Sequence, residues 1–154
     1  MTSPADQAME RAANALRRGG CVALTGAGIS EPSGIPDFRS PGGLWERFPP
    51  EEYATSSAWR RDPGRVWDLF RDIGRLVAVT RPSEGHLALA RLEALGLVDA
   101  VITQNIDGLH QQAGSRRVIE FHGSAVDLAC ESCGAKVDVA IAATYLGMTG
   151  APRC

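Results

Sequence analysis

The sequence has no run approaching the ~20 consecutive apolar residues that a helix needs to cross a bilayer. Its opening, MTSPADQAMERAANALRRGG, has no apolar core behind a basic head. A membrane span and an export signal are therefore not expected, and the reading is a cytoplasmic protein with no membrane partner. Charge of either sign is not in excess. With 16 Lys and Arg against 18 Asp and Glu, the net charge of −2 gives no positive footprint for nucleic acid, whose binding relies on many phosphate contacts. Cysteine is sparse, at four in 154 residues. Without an export signal these are better read as reduced thiols on a metal than as a disulfide set. There is no internal repeat, low-complexity segment or linker. An apolar content of 44% and a charged content of 22% fit a soluble globular domain large enough for its own core.

What is present is an alternation of helices and short apolar strands. Ala5 to Arg18 places Ala8, Ala12 and Leu16 at helical spacing, and Gly19 and Gly20 stop the helix. Cys21 to Thr25 is a short apolar run that breaks into Gly26, Ala27 and Gly28, as a buried parallel strand feeding a tight turn would. Glu31 to Pro50 holds five prolines and three glycines. That composition predicts a long loop without regular structure, poised over a ligand. Asp62 and Pro63 start a helix that carries Val66, Leu69, Phe70, Ile73 and Val77 and ends by Pro82. Ser83 to Leu95 forms another, closed by Gly96. Val98 to Thr103 and Arg117 to Phe121 read as two further strands, each ending at a polar motif. Ligands of open parallel sheets gather at the carboxyl ends of strands, so three motifs distant in sequence are expected to face one crevice.

The polar motifs carry the chemistry. Glycines at Gly26 and Gly28 let a backbone approach a phosphate closely, but Glu31 stands where the third glycine of the dinucleotide fingerprint would fall. On the residues alone this is either a phosphate cradle or an ordinary strand-to-helix turn. Arg39 offers a planar fork to phosphate, while Phe38 offers either an apolar ligand face or core packing. Gln104, Asn105, Ile106 and Asp107 follow a strand, where amides and a carboxylate can converge on a carboxamide and a ribose, or form a turn. His122 is a candidate general base, since imidazole titrates near neutrality. Its plainer reading is a half-buried hydrogen-bonding side chain. Cys130 and Cys133 form a C-x₂-C knuckle, and Cys154 falls within the interval expected before a second pair. His86 and His110 read as structural, and Cys21 as core.

Five segments stand in order: GAGIS at Gly26 to Ser30, GIPDFRS at Gly34 to Ser40, TQNIDGLH at Thr103 to His110, FHG at Phe121 to Gly123 and CESC at Cys130 to Cys133. Together they resemble the sirtuins. The resemblance begins near residue 20 and implies an α/β fold, an incomplete Rossmann-like parallel sheet with flanking helices over residues 1–123, followed by the start of a zinc-binding module over 124–154. It implies an NAD pocket formed by Gly26, Ala27, Gly28, Ile35, Asp37, Phe38 and Arg39 from the cofactor loop. Gln104 and Asn105 would lie at the ribose, and Ile106 and Asp107 at the nicotinamide. His122 would be the catalytic base. Cys130, Cys133 and Cys154 would be three ligands of a structural zinc ion.

The implied reaction is transfer of an acyl group from a protein lysine to ADP-ribose. The acyl oxygen displaces nicotinamide from the sugar carbon, His122 takes a proton from a ribose hydroxyl, and the products are free lysine, nicotinamide and O-acyl-ADP-ribose. An acetyl-lysine protein is the expected substrate. Family members that prefer acidic acyl groups carry a Tyr and an Arg at the positions aligned here with Phe70 and Ile73, so uncharged acyl groups are expected. The fourth cysteine, later strands and an adenosine-holding Gly-Thr/Ser segment of the family are not in this sequence. The expectation is therefore the first part of a longer enzyme, with weak or no turnover alone. Two other classes share the motifs: an ADP-ribosyl transferase using the same NAD loop, and a non-catalytic zinc-binding interaction module. Oligomeric state is not readable.

Overall fold

The computed structural model describes residues 2–125, 127–137, 144–145, 147–148 and 150–153. The expected ligand Cys154 lies outside the described residues. The chain opens with helix α1, Pro4–Arg17, started by a reciprocal cap in which Asp6 N–H donates to Ser3 Oγ (3.1 Å) and Ser3 N–H donates back to Asp6 Oδ2 (3.0 Å). Gly19 and Gly20 end it with φ of 76° and 71°, a left-handed pair that a side chain would strain. Strand β1 follows as Val22–Thr25.

The segment expected to be structureless is not. Glu31–Ser33 forms a 3₁₀ turn, and short helices α2, Leu44–Arg47, and α3, Pro50–Tyr53, lie within or just after it. Proline at the first helical positions, as at Pro32 and Pro50, starts such turns because its missing N–H is one that a helix start leaves unbonded. Helix α4, Ser56–Arg61, shows no sequence periodicity and was not anticipated. Asp62 then ends α4 and caps helix α5, Pro63–Val79, by accepting Arg65 N–H at 3.0 Å, as Asp and Pro in tandem predicted. Helix α6, Glu84–Ala94, starts from Ser83. Strand β2, Ala100–Thr103, helix α7, Leu109–Gln112, and strand β3, Val118–Glu120, complete the larger unit. A two-stranded antiparallel hairpin, β4 Leu128–Ala129 and β5 Lys136–Val137, follows.

The α/β reading holds. β1, β2 and β3 form a parallel sheet in that order, with Thr25, Thr103 and Glu120 in register at its carboxyl edge. The expectation that β1 is buried is corrected: Leu24 is 70% exposed, and Val22, Ile119 and Phe121 share its exposure. Successive strand side chains alternate between faces, and the described helices cover one face only. Cys21 also departs from its core assignment. It precedes β1, is half-buried, and its thiol lies 3.8 Å from the Ala15 carbonyl. The main apolar cluster sits beside the sheet rather than on it. Leu44, Phe48, Leu69 and Ile73 pack together, joined by Phe38, Trp45, Val77 and Ile106. That cluster joins the 31–50 segment to α5. Among the described residues, no helix is long and apolar enough to cross a membrane.

Candidate functional site

Backbone hydrogen bonds bring the ends of the three parallel strands together. Gln104 N–H donates to the Thr25 carbonyl at 3.0 Å, and Phe121 N–H donates to the Thr103 carbonyl at 2.9 Å. This places His122 beside Gln104, where His122 Nδ1 lies 2.9 Å from the Gln104 carbonyl oxygen. A carbonyl only accepts, so Nδ1 carries the hydrogen in the neutral ring. Nε2 then keeps its lone pair, on an exposed residue. That is the tautomer a general base needs.

Behind His122 lies a buried polar web. The Asn105 amide donates to the Gly26 carbonyl at 3.1 Å and to Ser30 Oγ at 3.0 Å. The Ser30 hydroxyl donates to Asp107 Oδ2 at 2.7 Å, and Leu109 N–H donates to Asp107 Oδ1 at 3.0 Å. Ser30, Asn105 and Asp107 are all buried. Ser30 received no role from the sequence, although it stands in the GAGIS segment; the signal was present and went unused.

A mostly apolar pocket opens over this web. Ala27, Ile35, Pro36 and Phe38 line it from the cofactor-loop side, Ile73, Leu76 and Val77 from α5, and Asn105, Ile106 and Asp107 from the strand end. Phe38 is braced by the Trp45 ring, 4.9 Å away between centroids. Gly26 and Gly28 have extended or ordinary backbone rather than positive φ. Gly28 is exposed, and a Cβ built on it would meet no protein atom within 4 Å, so packing within the chain does not require glycine there.

Of the residues expected in the pocket, Gly26, Gly28, Asp37, Arg39 and Gln104 are not among those that line it. Asp37 is spent on its own loop, its Oδ1 accepting Ser40 N–H at 2.8 Å and Arg39 N–H at 3.1 Å, and its Oδ2 accepting the Ser40 hydroxyl. The Ser40 hydroxyl, then the backbone N–H groups, hold its carboxyl below the usual carboxylate range. Asp and Ser this close in a proline-rich segment favour such a turn. Arg39 is exposed on that turn and is not among the pocket-lining residues.

Two histidines support the site from below. His110 and His86 are fully buried with ring centroids 4.6 Å apart. His110 Nε2 lies 2.8 Å from Thr25 Oγ1 at the end of β1, while His86 Nδ1 accepts Ser83 N–H at 3.1 Å in the α6 cap. The Ser83 hydroxyl donates to the Ile29 carbonyl at 2.8 Å, joining that cap to the GAGIS turn. Burial, with His86 close by, pushes His110 down to about 4 against a smaller opposing pull from Asp107. Burial lowers His86 as well. Both are neutral near pH 7 and structural, as expected.

The cysteine knuckle is a separate element. Cys130 N–H donates to the Ala135 carbonyl at 2.9 Å and Gly134 N–H to the Cys130 carbonyl at 2.8 Å, with Gly134 at a φ of 69°. These bonds fold Cys130 to Cys133 into a tight turn between β4 and β5. Two thiols on such a turn fit one half of a tetrahedral thiolate site. Among the described residues, no group of three or more His, Cys, Asp or Glu side chains converges as a metal set.

A parallel sheet with a glycine turn at the end of its first strand, an apolar pocket and an oriented histidine beyond its carboxyl edge is the arrangement of an α/β protein whose candidate site lies at the strand ends. The chain belongs to the Sir2 family, whose pattern matches residues 26–154. It is 57% identical over 114 residues to NAD-dependent protein deacylase 2 of Pyrobaculum aerophilum, a match spanning 74% of this chain and 46% of the relative. It is 46% identical over 147 residues to NAD-dependent protein deacetylase 1 of the same organism, spanning 95% and 57% of the two chains. A solved Sir2 structure described with a deacetylated peptide and 3′-O-acetyl-ADP-ribose superposes with a TM-score of 0.81 at 37% identity, covering 95% of this chain and 59% of the other. The chain thus spans about half the length of the relatives it matches.

Proposed function

We propose that this chain supplies the NAD pocket and the base of an NAD-dependent protein-lysine deacylase, acting on acetyl-lysine proteins and giving nicotinamide, free lysine and O-acetyl-ADP-ribose. The observation that carries the reading is the His122 to Gln104 hydrogen bond, which fixes the base tautomer through a residue next in sequence to Asn105, Ile106 and Asp107 of the pocket lining, although neither His122 nor Gln104 lines the pocket itself. NAD, when bound, supplies a sugar carbon with a cationic leaving group. The protein's residues do the rest. Gly28 admits the cofactor backbone, Asn105 and Asp107 are held for the carboxamide end by Ser30, Phe38 shields the reacting face from water, and His122 Nε2 takes the proton from a ribose hydroxyl. Names of relatives as deacetylases and deacylases, and the product and peptide in the solved Sir2 complex, support the same assignment.

Uncharged acyl groups are the proposed substrates. Ile73 lines it, and its described lining includes no Lys or Arg that could pair with an acidic acyl tail. Phe70, the other aligned position, is not among the pocket-lining residues and lies tilted against Trp67, with ring centroids 6.0 Å apart. Cys130 and Cys133, with Cys154, would hold a structural zinc ion over residues 124–154, and the cytoplasm is the expected compartment for reduced thiols.

The test is a chimera joining residues 1–154 to the remaining half of the Pyrobaculum aerophilum relative, assayed with NAD and an acetyl-lysine peptide. Nicotinamide and O-acetyl-ADP-ribose released together, and lost in His122→Ala, are the expected result. ADP-ribose left on protein would replace the reading with a transferase. Neither product from a folded chimera that binds NAD would sink it.

A further inference from the structure

Among the described residues, a side-chain pair ties the knuckle to α4. Trp59, half-buried on α4, donates its indole N–H to the carboxylate of Glu131, which stands between Cys130 and Cys133. The two residues are 72 positions apart in sequence. Two further ties run from the segment beyond the knuckle to α5: Arg71 donates to the Met148 carbonyl at 2.6 Å, and the Trp67 indole donates to the Tyr145 carbonyl at 3.4 Å.

These anchors sit on a rigid corner. Thr55 caps α4 by accepting Ala58 N–H at 3.1 Å, and Asp62 both ends α4 and caps α5. Turning or loosening α4 therefore moves α5. Another flank of α5 carries Ile73, Leu76 and Val77 into the pocket.

We infer that the Trp59–Glu131 hydrogen bond is a latch through which metal bound at the cysteine knuckle orders α4 and, through the Asp62 cap that joins the two helices, the α5 wall of the NAD pocket. Trp59 and Glu131 are positioning residues in this scheme; neither touches a ligand. The physical basis is geometric. Backbone hydrogen bonds shape the C-x₂-C turn, and an ion held by both thiols adds a further restraint to it, one that Glu131, lying between them, shares. An acceptor held in one place orders the indole that donates to it better than a less restrained one does. The inference rests on the zinc reading of Cys130 and Cys133, and its test separates the two.

The experiment uses the 154-residue chain with cobalt(II) or zinc(II) as the probe and two readouts. The thiolate-to-cobalt absorption band reports metal on cysteine sulfur, and hydrogen–deuterium exchange reports order in α4 and α5 at residues 56–79. In the native chain, metal is expected to slow amide exchange across α4 and α5 by about fivefold, the scale of one charge-assisted hydrogen bond partly open to water. Trp59→Phe and Glu131→Ala are expected to keep the cobalt band, which also shows that the knuckle still folds, yet to lose the metal-dependent slowing. Glu131→Gln, whose amide oxygen still accepts, is expected to retain most of it. If the band persists and both disabling variants keep the full slowing, the latch is wrong while the zinc site stands. If no band forms in the native chain, the zinc reading fails and the latch falls with it.

Discussion

Thr25, at the end of the first strand, and His110, 85 residues later, share a partly buried hydrogen bond of 2.8 Å. The Thr25 carbonyl also accepts Gln104 N–H, and the Gln104 carbonyl orients His122. A structural histidine is thus two residues removed from the catalytic candidate. Thr25→Val keeps the shape and strips the hydroxyl, leaving a buried His110 nitrogen without its partner. The expected cost is about 1–3 kcal/mol of unfolding free energy, measured by urea denaturation near pH 7, with the mean residue content of helix and strand unchanged by circular dichroism.

Acid should loosen the molecule through the same pair. His110 has an ordinary value of 6.5 and is held down to about 4, and His86 is lowered too. Above 6.5 neither the folded nor the unfolded chain carries these protons, and stability is complete. Between 6.5 and about 4 the unfolded chain takes up protons that the folded chain refuses, so stability falls as pH falls. For His110 alone this loss reaches about 3 kcal/mol at the acid end, at ~1.4 kcal/mol for each tenfold change in proton activity. Urea midpoints measured from pH 7.5 to 4.5 should decline through this window in the native chain and decline less in a His110→Gln variant. Parallel curves would show that the histidines are not responsible.

The catalytic assignment of His122 predicts a separation of binding from turnover. His122→Ala in the chimeric enzyme should lower kcat by about 10²–10⁴-fold. The dissociation constant for NAD, measured by calorimetry, should change little, because His122 is exposed and its bond to Gln104 adds little to the pocket. A comparable loss of NAD affinity would make it a binding residue instead.

Two glycines, Gly28 in the GAGIS turn and Gly43 in the 31–50 segment, should respond to the same substitution in opposite ways. A Cβ at Gly43 would fall 2.8 Å from the carbonyl oxygens of Asp37 and Ser40, backbone atoms that cannot step aside, so Gly43→Ala should lower the melting temperature. A Cβ at Gly28 meets no protein atom, so Gly28→Ala should leave the melting temperature unchanged while weakening NAD binding by tenfold or more, on the scale of about 1–3 kcal/mol for overfilling a close-packed space. Equal NAD affinity in Gly28→Ala and the native chain would remove the cofactor from that position.

Ser30 should behave as a support for Asp107 rather than as a surface hydroxyl. Ser30→Ala removes the donor to Asp107 Oδ2 and the acceptor of Asn105. The expected effect is a loss of about 1–3 kcal/mol in stability together with a raised KM for NAD, read by thermal melts and steady-state kinetics. A change in stability with KM unmoved would confine Ser30 to the fold.

The sequence alone determined the local decisions. Capping residues, prolines and glycines act on their own neighbours, so the starts of α1, α5 and α6 and the breaks after β1 were legible from Ser3, Asp62, Ser83 and Gly26. Five ordered motifs carried the family for the same reason, since each is a contiguous stretch whose spacing survives in one dimension. Helix α4 was not legible, because it is a turn and a half long and is ordered by Thr55 and by Ala58 packed in the interior rather than by periodicity.

Only the tertiary structure decided which polar groups meet. Asp37 and Asp107 look equally available as ligand contacts in sequence, yet one is consumed by Ser40 within its own turn and the other by Ser30 from across the sheet edge. Burial of alternate strand faces likewise depends on what lies above the sheet, which is why β1 reads as buried and has Leu24 exposed. Hydrogen bonds and packing between segments dozens of residues apart are set by chain topology, and topology is the one quantity that residue spacing does not encode.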